Sequence, residues 1–369
     1  MKVNTISLNS VRLNTIALNH IGEIRSGGGG SKPSPIPQWI REHIVFYYDV
    51  KKQGATNETL KESAYLQDLS GKGRRMKLNN FLFAEMSGVG GYNDNFSNWK
   101  TDSNNGVVKI ESDSSIVMQS VKIEYRGILY QDSSKNATLK CNITGITEEL
   151  KGKLIFRYTD AEGDKNITLE NGYFEFNSSE YEGLSGWYGF TSKQPIDNCN
   201  ITITQIPEYP GALVTDGVDD YGLVENLSSG VKMLFMTVNP IEDSNHSKMY
   251  YSQRKDPIKF SPFYIFTVGG SIAYPGNQDG VTYINGVLNK SIKVNELFGV
   301  KHIITTVNAN VKPETSKAPS FFWEEGNTKN YCSKLAFYNS IAFDSIPTEA
   351  DGFTEQELID YVITNIIGQ

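Results

Sequence analysis

Between residues 107 and 206 the chain is cut into short runs in which apolar and polar residues alternate, separated by turn-forming residues. Lys153-Leu154-Ile155-Phe156-Arg157-Tyr158 and Asn200-Ile201-Thr202-Ile203-Thr204 show the pattern most clearly, each with two unlike faces. A period of two belongs to a strand with one buried face and one wet face. Many such strands at short, regular spacing bury their apolar faces by stacking one sheet on another, so the stretch predicts a β-sandwich. The expected strands are 107–111, 116–125, 137–143, 152–158, 165–169, 172–176, 186–190 and 199–205.

The flanks read the same way. Upstream, 44–48 and 78–83 are expected strands; downstream, 231–238, 249–252, 263–268, 282–284, 302–307 and 334–337 are. The 20 Tyr and 18 Phe suit the pleated, half-buried surface of strands. A short helix closes the chain. Thr354-Glu355-Gln356-Glu357 has the form of a capping box, and Leu358, Tyr361, Val362 and Ile366 then share one face. The fold class is therefore all-β, and 369 residues suggest two or three domains.

Charge and cysteine usage narrow the function. Thirty-five basic against 42 acidic side chains give a net charge of −7, a poor match to a nucleic-acid partner, which demands a basic stripe. The Lys72-Gly73-Arg74-Arg75 run reads as a solvated loop. No run of 18 apolar residues occurs, so membrane insertion is not expected, and no basic-then-apolar leader opens the chain. Cys141, Cys199 and Cys332 are odd in number and far apart, which predicts reduced core residues and neither a disulfide framework nor a zinc site.

Residues 1–26 carry a five-residue repeat, with Asn at 4, 9, 14 and 19 and aliphatic residues at Ile6, Leu8, Val11, Leu13, Ile16, Leu18 and Ile21. The spacing is not helical; short extended pieces broken at asparagine bends fit it. It resembles the period of pentapeptide-repeat β-coils, but four repeats bury no solenoid core alone. Regularly spaced aliphatic residues are costly to leave in water, so the segment is expected to be an arm that docks on a partner. A Gly/Pro linker, 27–37, separates it from the body.

Gly211-Ala212-Leu213-Val214-Thr215-Asp216-Gly217-Val218-Asp219-Asp220-Tyr221 resembles the signature strand and turn of laminin-G-like, concanavalin-type jelly rolls. Three further segments resemble that family in its order: Asp68-Leu69-Ser70-Gly71-Lys72-Gly73, Thr282-Tyr283-Ile284-Asn285-Gly286, and Leu335 through Phe343 with Tyr338-Asn339 at its centre. Lys72 stands where the family carries Asn, and an Arg of the last strand is missing. The resemblance implies a concanavalin-like jelly-roll sandwich over 38–89 and 208–369. Residues 90–207 then form a second β-sandwich, either inserted in a loop of the first or in tandem; long surface insertions carry little closure entropy, which favours insertion.

Arm, glycine hinge and the Tyr47-Tyr48-Asp49-Val50-Lys51-Lys52 opening together resemble virion fibre or surface proteins of tailed phages infecting Bacteroides-type bacteria, including the crAss-like group. That resemblance implies a virion structural protein on head or tail, a homotrimer joined to other virion proteins by its arm. It would be made in a bacterial cytoplasm, act outside the cell and present its sandwiches to host-surface glycans.

No catalysis is expected. The E-x-D-x-x-E strand of concanavalin-type glucanases is missing, as are G-x-S-x-G, H-E-x-x-H and a P-loop. Asp216, Asp219 and Asp220 read as turn residues, with a Ca²⁺ site as the alternative. Sugar-stacking candidates are Trp187 with Tyr188, Trp323 in a predicted loop, and Trp99, each balanced against core packing. Two rival functions stay open: a secreted or cell-encoded lectin-like module, and a glycoside hydrolase, which would need a paired-carboxylate cleft.

Overall fold

Ile44-Val45-Phe46-Tyr47-Tyr48 has no polar face, and in the computed structural model the strand it forms is buried on both sides. The structure describes residues 37–83, 96–112, 114–135, 138–227, 230–241, 248–254, 264–268, 271–273, 280–289, 296–309, 311, 316–322 and 332–368. The expected arm, most of the linker, and Trp323 lie outside them.

The described chain divides into two compact units, one built from 37–83 with 211–368 and the other from 96–210. The first unit opens with helix α1 (Gln38–His43), β1 (Ile44–Asp49), α2 (Asn57–Ser63), β2 (Tyr65–Leu66) and β3 (Met76–Asn79). The second supplies β4 (Lys100–Thr101), β5 (Gly106–Ser112), β6 (Ser115–Val121), β7 (Leu129–Asp132), β8 (Thr138–Thr144), β9 (Leu154–Asp160), β10 (Gly163–Thr168), β11 (Gly172–Asn177), β12 (Trp187–Ser192) and β13 (Ile201–Gln205). The first then resumes with β14 (Leu213–Val214), β15 (Tyr221–Val224), β16 (Met233–Pro240), β17 (Lys248–Arg254), β18 (Tyr264–Val268), β19 (Ser271–Ala273), β20 (Val281–Ile284), β21 (Val287–Asn289), β22 (His302–Val307), β23 (Ser316–Phe321), β24 (Leu335–Phe343) and α3 (Glu355–Val362).

In the first unit one seven-stranded sheet runs β1-β24-β16-β22-β20-β21, with β14 also paired to β24, and the other runs β19-β18-β17-β23-β15-β3-β2. Every recorded pair is antiparallel, and the chain passes repeatedly from one sheet to the other, as a sandwich requires. Phe46, Tyr48 and Phe337 of the first sheet meet Phe321 of the second across the interior, with ring centroids 5.8–6.2 Å apart. Such aromatic pairs add to plain area burial.

The first sheet is also covered on its far side. Met233 and Phe235 of β16 pack with Leu358, Ile359, Val362 and Ile366 of the C-terminal helical segment, whereas Leu234 and Met236 enter the inter-sheet core. That is why all eight residues of β16 are buried and its sequence shows no alternation of polarity. The expected capping box is present: the Thr354 hydroxyl accepts from the Glu357 amide at 3.3 Å, and the Glu357 carboxylate accepts from the Thr354 amide at 2.7 Å. After α3 the chain widens into a π turn, Ile363–Ile367. Its terminal carbonyls find partners on the sheet side: Ile366 O accepts from the Lys52 ammonium at 2.5 Å and from the Tyr47 hydroxyl at 3.4 Å, and Ile367 O from the Asn339 amide at 3.4 Å.

The second unit stacks a β10-β9-β12-β7-β4 sheet on a β11-β8-β13-β6-β5 sheet. Phe156 at its centre lies 4.6 Å from Phe176 and 5.1 Å from both Phe174 and Phe190. Here the period of two holds: Leu154, Phe156 and Tyr158 belong to the core, while Ile155, Arg157 and Thr159 take the other face.

The fold class agrees with the sequence, and the differences are local. The strand expected over 116–125 ends at Val121, and the one over 78–83 is β3, which ends at Asn79. Asn80 and Phe83 adopt φ of +67° and +52°, which takes the backbone out of the pleat. Helices α1 and α2 were not expected. Phe321 and Phe322, next to the loop expected at Trp323, are fully buried, and Phe321 ends β23. All three cysteines are free and buried, as expected. No helix among the described residues is long and apolar enough to cross a membrane.

The covering helix predicts a large mutational effect at a distance from any site. Leu358→Ala should lower the unfolding free energy by about 2–5 kcal/mol, since it opens a cavity against β16. Val287→Ala, at a side chain 70% exposed, should change it by less than about 0.5 kcal/mol. Equilibrium urea unfolding of the two variants checks the contrast.

Candidate functional site

Alternation along β12 decides which of its aromatic residues can meet a ligand. Tyr188 and Phe190 point into the core, so Trp187 and Gly189 belong to the outer face. Gly189 sits between Arg157 of β9 and Tyr130 of β7 in the ladder, and Trp187 sits opposite Asp132. No side chain fits at 189: a Cβ there would lie 2.3 Å from the Leu129 carbonyl oxygen and 2.6 Å from the Tyr130 Cα. At Gly127 a Cβ would meet Tyr130 Cδ1 at 3.0 Å and Trp187 Cζ3 at 3.1 Å. The two rings therefore lie against glycine backbone, 5.7 Å apart at 62°, each half-buried with part of its surface open.

Beside them stands a polar group held in fixed geometry. Tyr125 is 37% exposed and takes a left-handed φ of +53°, uncommon for a bulky residue. Its amide donates to Ser192 O at 2.8 Å, and its carbonyl accepts from Arg157 Nη1 at 3.0 Å. The Arg157 guanidinium lies 5.5 Å from the Tyr125 ring centroid and pairs through Nη2 with Asp164. Asp164 also accepts from the Thr159 hydroxyl at 2.7 Å. That hydrogen bond, with the Arg157 charge, lowers the Asp164 pKa below the usual carboxylate value. Asn166, opposite Arg157 in the ladder, is exposed beside this group. The face thus combines open aromatic surface, a forked donor and an ionised acceptor, all on strands or held to them.

A second cluster lies in the first unit. Carboxylate oxygens of Asp216, Asp219 and Asp220 all lie within 4.8 Å of one another. The turn between β14 and β15 explains part of this: Asp216 Oδ1 accepts from the Val218 and Asp219 amides at 2.7 and 3.4 Å, and Asp220 Oδ2 from the Asp216 amide at 2.9 Å. Gly217 provides the left-handed φ of +78°. Asp220 is fully buried, and its Oδ1 has no hydrogen-bond partner. Its pKa is raised to about 8, chiefly by burial and also by the Asp216 and Asp219 charges, against a lowering by the hydrogen bond from the Asp216 amide. The nearby Cys332 thiol is pushed up to about 12, chiefly by burial, and so stays protonated.

No family model, curated protein or solved structure matches the chain.

Of the sugar-stacking residues expected from sequence, only Trp187 has an open face among the described residues. Tyr188 is fully buried against Phe156 and Phe176, and its hydroxyl donates to Lys135 O at 2.9 Å. Trp99 is 4% exposed and packs edge-on to Phe96 and Tyr188. Both expectations are corrected: inward alternation puts Tyr188 in the core, and Trp99 fills the same core from the segment before β4. Sequence reasoning missed Tyr125, Tyr130, Arg157 and Asp164. Arg157 was discernible as the polar member of an alternating run, but nothing in the sequence paired it with Tyr125 or Asp164.

The crowded backbone at 189 gives a direct test. Gly189→Ala should destabilise the protein by about 1–3 kcal/mol through overpacking against Leu129 and Tyr130, read as a lower denaturation midpoint.

Proposed function

We propose that this chain is a non-catalytic structural subunit of a virion fibre, whose second unit binds host-surface glycan through the outer face of the β10-β9-β12-β7-β4 sheet. The reading rests chiefly on Trp187 and Tyr130 lying open beside the fixed Tyr125–Arg157–Asp164 group. A pyranose ring has an apolar C–H face and a rim of hydroxyls. The indole offers the first a stacking surface, while Arg157 donates to the rim and Asp164 and Asn166 accept from it.

At this face the electrostatics favour binding over hydrolysis. A general acid needs a raised pKa, whereas Asp164 is held ionised by Thr159 and Arg157. Preorganisation favours it too, since side chains fixed before contact lose little freedom on binding. Within this reading the residue 1–26 repeat joins the subunit to the particle, and the assembly is a homotrimer.

Two experiments bear on the proposal. On an array of host-surface glycans, Trp187→Ala should reduce retention at least about tenfold, as expected for an aromatic anchor. Tyr173→Ala, on the other sheet and 62% exposed, should leave retention unchanged. Full retention by Trp187→Ala would remove this face as the binding site. Separately, a chain lacking residues 1–26 should stay folded yet fail to enter particles, and incorporation at the wild-type level would refute the docking role.

A further inference from the structure

The backbone of the 216–220 turn is fixed by contacts that leave its deepest carboxylate oxygen unused. Thr215 clamps the entry: its hydroxyl donates to Ser333 O at 2.6 Å and accepts from the Leu335 amide at 2.9 Å. At Gly217 the turn presses on Lys334, where a Cβ would lie 2.8 Å from the Lys334 Cβ. At the exit the Asn80 side-chain amide donates to Asp219 O at 2.9 Å. None of these contacts calls on Asp220 Oδ1, which is buried with no partner although a carboxyl oxygen accepts a hydrogen bond or, when protonated, donates one. Leaving such an atom unpaired is destabilising, and native structures satisfy nearly all of them.

We propose that Asp216, Asp219 and Asp220 hold a calcium ion, with the buried Asp220 carboxylate as its anchor. The donors are hard oxygens, which select Ca²⁺ or Mg²⁺ over softer metals. Oxygens within 4.8 Å of one another can all reach one Ca²⁺, whose ligands at about 2.3–2.6 Å lie up to about 5 Å apart. Mg²⁺ demands near-ideal octahedral geometry and gives up its water reluctantly, so an irregular turn that offers its own carboxyl groups suits the larger ion better. Water and turn carbonyls would complete the coordination.

The full chain, stripped with a chelator, should be titrated with CaCl₂ and separately with MgCl₂, by calorimetry and by thermal unfolding. Ca²⁺ should bind at one site and raise the unfolding midpoint by several degrees, with no comparable shift from Mg²⁺. Asp220→Asn keeps the shape of the side chain while removing its charge, and should weaken Ca²⁺ binding at least about tenfold and abolish the shift. If Asp220→Asn does not fold, Asp216→Asn, which keeps an acceptor for the Val218 amide, carries the same expectation. No heat and no shift in the wild type up to about 10 mM Ca²⁺, an equal shift from Mg²⁺, or an undiminished shift in the folded variant would each overturn the proposal.

Discussion

The first unit depends on one sheet being covered twice. β16 and its neighbours send alternate side chains into two separate apolar layers, one shared with the opposing sheet and one with the C-terminal helical segment. A strand so placed has no wet face, and its own residues cannot stabilise it without both covers. The capping box at Thr354 and Glu357 fixes where the covering helix starts, and Lys52, Tyr47 and Asn339 fix where it stops. The closing segment is therefore a structural layer, joined at both ends by directional contacts.

The second unit works by the opposite rule. Each of its sheets sends one face into the core; on the outer face of β7, β9 and β12, Ile155 and Thr191 are also covered, and the open part around Tyr130, Trp187 and Arg157 is free to carry chemistry. Gly127 and Gly189 place Tyr130 and Trp187 close to the backbone, so the aromatic surface lies low against the sheet. Tyr125 has its backbone in a left-handed conformation stabilised by Arg157 and Ser192. Strain of this kind persists only where neighbours over-determine it, which suits a surface set before its ligand arrives. The proposed calcium turn is also held by its neighbours, with a buried carboxyl group in place of an aromatic ring.

How much of this the sequence disclosed depends on the range of the interaction. Alternation made β9 and β13 legible, and the Thr354–Glu357 spacing located α3, because those signals sit within a few residues. The doubly covered strands betrayed themselves as continuous apolar runs, but the identity of the second cover was not written beside them. Helix α2 carries a capping box closed by Thr59 in place of Glu or Gln, a weaker signal that escaped notice. At the site, Trp187 stood out as a residue type, whereas Arg157 and Asp164 gain meaning only when a hairpin brings Thr159 and Asp164 into register. Tyr188, adjacent in sequence to Trp187, serves the core, so residue type without strand parity misleads.

The clasp formed by α1 has a mechanical side. β1 lies at the margin of its sheet, paired there with β24, while Tyr47 O accepts from the Leu69 amide at 2.7 Å, the Tyr47 amide donates to Asp68 Oδ1 at 3.0 Å and Val45 O accepts from Arg74 at 2.9 Å; an outer antiparallel strand tugged from its end would come away one rung at a time. Before the first rung, however, Trp39 is wedged between Phe343 and Phe353 at 5.5 and 5.6 Å, and His43 grips Asp344 at 3.0 Å. Tension entering from the linker thus reaches a knot of rings before the ladder, and unzipping cannot begin until that knot has been dragged free.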